Sequence, residues 1–187
     1  MNYVDYFKLQ AKNLFKDFQT KTRSSKSPIG DYEYYPKYFD IHGIILYFDI
    51  DEDDFSLMNA QHIIAQIVGF KKWTDLLKAS DEQQELAKLL FDNQDKISAE
   101  DWEMYIHGAE SNNKTIFDAD TRLEIFKQVF VNVDGHVSTF PDYRLRKQTE
   151  RPPKDHGITQ NSFVKAPVPN GQLSFTDWLK KHKNRNS

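Results

Sequence analysis

The chain has 187 residues, 39% of them hydrophobic and 14% aromatic, with a formal net charge of −3. That is enough for one domain with a tail, and the aromatic content argues against a chain disordered throughout. Cysteine is absent, which excludes disulfides and thiolate zinc sites. Charge is unevenly placed. Residues 144–187 hold ten Lys or Arg against three acidic residues, and residues 1–143 hold 15 against 25, so an acidic body carries a basic end.

In "VDYFKLQAKNLFKDF", Val4, Phe7, Ala11, Leu14, Phe15 and Phe18 fall on one helical stripe, with Lys8, Lys12 and Lys16 largely off it. "TKTRSSKSPIG" closes that helix. "DYEYYPKYFDIHGIILYFDI" is rich in Tyr, Phe and Ile and reads as one or two short strands broken at Pro36 and Gly43. A helix between Pro36 and Asp49 is the alternative for so short a run.

Ser56 caps an expected helix through "LMNAQHIIAQIV", whose stripe is Leu57, Ala60, Ile63, Ile64, Ile67 and Val68, and Gly69 stands where a left-handed cap is wanted. A short helix with Trp73, Leu76 and Leu77 inward should follow. Ser80 with Gln83 makes a capping box, and Ser98 and Asp118 start two more helices. Asp134-Gly135 suggests a hairpin within "VNVDGHVSTF". The expectation is a mainly α domain over 1–143 with a minor strand or hairpin element. An extended, flexible basic linker over 144–172 and a short amphipathic segment over 173–187 complete it. In the last, "LSFTDWLKKHKNRNS", Phe175, Trp178 and Leu179 share a side and suit docking to a protein partner.

The acidic run "DIDEDD" at 49–54 invites three readings. Asp49, Asp51 and Asp53 match the first ligands of an EF-hand loop, but Asp54 stands where glycine is needed and Ala60 where a bidentate glutamate is needed. "IILYFDIDED" is similar to the first motif of haloacid-dehalogenase-like phosphatases, which would make Asp49 a nucleophile and Asp51 a general acid or base of a metal-dependent hydrolase. The chain lacks the parallel-strand pattern of that family. The third and preferred reading is a solvated turn before a capped helix.

Of six histidines none forms an HxxxH or HExxH pair. His62 is expected half-buried in an apolar helix, and His136, near Asp134 and Asp142, is the best lone acid–base candidate. There is no phosphate-binding glycine loop and no nucleophile elbow. Ala65 and Gly69 begin a helix-turn-helix pattern, but Asp75 occupies a position that should be buried. A DNA-associated regulator with a basic tail is therefore an alternative to a protein-binding one.

Leu9, Ala11, Lys12 and Leu14, followed by Ala60, Gln61, Ile64, Ala65, Gly69, Phe70, Trp73 and Leu76, carry a resemblance. The pattern resembles a small helical module of bacterial proteins that stands before ankyrin-like repeats and in proteins related to the glyoxalase superfamily. The resemblance implies a packing unit in which Phe70 and Trp73 close a core against the first helix, with Trp73→Ala costing roughly 3–5 kcal/mol. It implies no catalytic residue and no cofactor. No secretion signal and no apolar run of membrane-spanning length stand out, so the expected location is cytoplasmic.

Overall fold

A computed structural model describes residues 2–23 and 32–145, all within one unit, Met1–Arg151. The linker from residue 146 onward and the end segment with Phe175, Trp178 and Leu179 lie outside the described residues. The fold is mainly helical, as expected.

Helix α1 (Tyr3–Phe18) starts where the Asn2 side chain accepts from Val4 N at 2.7 Å. It buries Phe7, Ala11, Leu14 and Phe18, spaced by three and four, and exposes Lys8, Lys12 and Lys16. Its main neighbour is α3 (Leu57–Ile67), which buries Ala60, Ile63, Ile64, Ala65 and Ile67. Ala11, Ala60 and Ala65 are fully buried, and their small side chains let the two helices approach closely. Ser56 caps α3 in a reciprocal box with Asn59. The helix ends as the sequence foretells. Gly69 has φ +88°, Gly69 N donates to Gln66 O at 3.0 Å and Phe70 N donates to Ala65 O at 2.9 Å, a Schellman closure.

Helix α4 (Trp73–Lys78) buries Leu76, while Trp73 and Phe70 are only half-buried against the main core. A half-covered ring gives up less apolar area and leaves no closed cavity, so Trp73→Ala should fall below the roughly 3–5 kcal/mol of a fully enclosed ring. Of the two described tryptophans the more deeply buried is Trp102, at 1% exposure in α6 (Ala99–Asn113). It meets Phe126 edge-on at 5.1 Å and Phe130 at 6.0 Å. Phe126 belongs to α7 (Ala119–Phe126), which runs on into a π turn, Lys127–Val131, and packs on α5 (Asp81–Asp92). Ser80, Ser98 and Asp118 cap α5, α6 and α7 as their positions suggested.

Two elements depart from the first expectation. The second half of the aromatic stretch before the acidic run is helix α2 (Ile41–Phe48), the alternative reading, while Tyr32–Glu33 in its first half is strand. Gly43 belongs inside the first turn of α2: Asp40 caps the helix by accepting from Gly43 N, and a Cβ at Gly43 would sit 2.8 Å from the Asp40 carboxylate. The only strand pair among the described residues is β1 (Thr22–Arg23) antiparallel to β2 (Tyr32–Glu33). The hairpin expected around Asp134-Gly135 does not form. Phe130 keeps helical phase with Phe126 and stacks into the Trp102 cluster, which consumes the first arm.

The chain then crosses back over the body. Asp40 N donates to Tyr143 O and Leu145 N to Tyr38 O, both at 2.8 Å, around an antiparallel bridge between Phe39 and Arg144. Arg144 pairs with Asp142 at 2.9 Å and Asp95 at 3.2 Å and donates to Asp92 O at 2.6 Å, so the first residue of the basic stretch locks the body.

Candidate interaction face

The acidic run is an anchored loop rather than a free one. Asp49 ends α2 in the left-handed conformation, φ 49°, which Asp tolerates better than most residues. The Asp51 carboxylate accepts from Asp53 N at 2.9 Å. Glu52 accepts from the Tyr34 hydroxyl at 2.6 Å, and Asp53 accepts from the Tyr32 hydroxyl. Lys21 reaches Glu52 O and the Asp53 carboxylate. The Tyr32 hydrogen bond, with help from Lys21, holds the Asp53 carboxyl below its ordinary range, while burial and the bond to Glu52 push the Tyr34 hydroxyl up. The carboxylates therefore tie the loop to the β1–β2 pair.

Asp49, Asp51 and Asp54 also border a cleft of about 290 Å³ with Asn59, His62 and Gln66. His62 is exposed there, not half-buried, because it projects from the solvent side of α3. Among the described residues no group of three or more His, Asp or Glu side chains is placed to hold a metal ion, the set Asp49, Asp51 and Asp53 included. His136 stacks on Phe130, ring centroids 4.8 Å apart, in an irregular segment and not in a hairpin. In the α3–α4 pair Asp75 is exposed, and α4 has six residues.

A second cleft, about 260 Å³, lies beside the Gly69-Phe70 turn. Leu90, Trp102 and Phe117 line it with Glu103 and Arg122. Arg122 is engaged: it donates to Glu110 at 2.9 Å and lies 3.7 Å from Glu103. Glu110 also accepts from Phe117 N at 3.0 Å. That bond, together with Arg122, keeps its carboxyl below the ordinary value. Glu103 is the one carboxylate in the cleft's described lining, and it lies beside the Arg122 guanidinium.

Exposed apolar side chains also stand on α2 and α6, which the Tyr47–Glu100 hydrogen bond links. Leu46 is 86% exposed, Met104 66% and Tyr47 46%. Tyr47 donates to Glu100 at 3.4 Å and meets the rings of Phe140 and Tyr143 at 6.4 and 5.8 Å. Met104 stands one turn beyond Glu100 on the same helix face. Asp101 lies beside them, within reach of Thr139 at 3.5 Å. A narrow crevice opens between Tyr47, Glu100, Phe140 and Tyr143. Sequence reasoning missed this face because "IILYF" reads as buried strand. Only helical phase, which puts Leu46 opposite Ile41 and Ile44 and Tyr47 on the flank beside Ile44, reveals it.

No family model matches the chain, and neither does any curated protein or solved structure. No described helix is long and apolar enough to cross a membrane.

Proposed function

We propose that this is a non-enzymatic bacterial protein-interaction or regulatory protein, which binds a protein partner through its acidic surface and its aromatic C-terminal segment. The observation that supports the reading most is the exposure of Leu46, Tyr47 and Met104, with Tyr47 bonded to Glu100 one turn before Met104, since large exposed apolar side chains near carboxylates suit partner binding. Phe175, Trp178 and Leu179 enter on their sequence pattern alone.

The test is capture from the native host with the full chain and with a chain carrying Phe175→Ala, Trp178→Ala and Leu179→Ala. The reading expects a partner held by the native chain and released by the triple substitution. Equal recovery of every partner by both would remove the C-terminal segment from the function.

A further inference from the structure

The α2–α6 face carries information about what it would bind. Its crevice is lined by aromatic rings and by Glu100, with no lysine or arginine in the described lining. Tyr143, 6% exposed, also lines it, and its enclosed hydroxyl has no hydrogen-bond partner among the described residues. Glu100 and Asp101, adjacent in the first turn of α6, make the charge at this face negative. A cationic donor is the group that would pair with them.

Resting on the interaction reading above, we propose that this face binds an amphipathic helix bearing lysine or arginine. A cationic side chain pairs with Glu100 at the rim of the crevice, and the apolar stripe lies on Leu46, Tyr47 and Met104. Charge complementarity selects this occupant over an acidic or neutral helix, whose polar side would meet Glu100 and Asp101 unfavourably. The arrangement is helix-on-face recognition with apolar anchors spaced by three and four.

The experiment titrates the full chain into two dye-labelled helical peptides that share one leucine stripe. One carries lysine and the other glutamate at the remaining positions, and fluorescence anisotropy is read at low and high salt. The lysine peptide should bind at least roughly tenfold more tightly and weaken as salt rises. Leu46→Ser and Glu100→Gln, both at exposed positions and checked by thermal melting, should each weaken it roughly fivefold or more. Asp120→Asn on α7 should leave it unchanged. Equal binding of the two peptides, or insensitivity to both face substitutions, would overturn the proposal. So would a concentration-dependent dimer in sedimentation that Leu46→Ser abolishes, because the face would then be covered by a second copy. Partner capture from the host that survives both face substitutions would refute this surface while leaving the non-enzymatic reading standing.

Discussion

Asp17 has 2% exposure, and its carboxylate accepts from Lys37 N at 3.0 Å, Tyr38 N at 2.8 Å and Phe39 N at 2.9 Å. One side chain at the end of α1 thus pays the hydrogen-bond debt of three consecutive amides and bends the aromatic segment onto the body. In the same helix Asp5 is exposed and faces only Lys8 at 3.8 Å. Asp17→Ala orphans the three donors and should cost roughly 3 kcal/mol or more, while Asp5→Ala should stay within about 0.5 kcal/mol. Urea denaturation measures both, and equal midpoints would contradict the role given to Asp17. Nothing local in the sequence separates these two aspartates. The partners of Asp17 lie twenty and more positions away, and only the folded chain brings them together.

The elements themselves were legible wherever their signals are local. Ser56, Ser80, Ser98 and Asp118 each cap the helix they precede, because a cap needs only a side chain and an amide two or three residues on. Gly69 ends α3 for the same kind of reason. What failed was local ambiguity resolved by distant packing: α2 looks like strand until Ile41 and Ile44 find the core, and the segment after Phe130 looks like a hairpin until Phe130 joins Trp102. The two described tryptophans separate along these lines. Trp102, enclosed by Phe126 and Phe130, should cost roughly 3–5 kcal/mol when changed to Ala. Trp73→Ala, at a half-buried site, should cost clearly less. Thermal melting of both variants checks this, and a Trp73 effect as large as that of Trp102 would reverse the assignment of which ring closes a core.

At the scale of the molecule, the body is helices closed by a returning extended segment. The Phe39–Arg144 bridge, the Arg144 ion pairs and the hydrogen bond that Tyr143 N donates to Gln94 Oε1 at 3.2 Å join its far end to its middle. The acidic run fits this picture as a fastening, with Tyr32, Tyr34 and Lys21 gripping Glu52 and Asp53. Helical content could be read from periodicity, but the proposed site could not. Leu46, Tyr47, Glu100, Phe140 and Tyr143 come from three separated stretches, and their juxtaposition follows from packing rather than from any motif. The central claim is that this surface is the binding face. Its most direct test is an amide ¹H–¹⁵N spectrum of the full chain titrated with the lysine–leucine peptide. The account predicts shifts concentrated at the end of α2, the first turns of α6 and residues 140–143. Shifts centred on the cleft beside Gly69 and Phe70 or on the 49–54 loop, with that face silent, would contradict it.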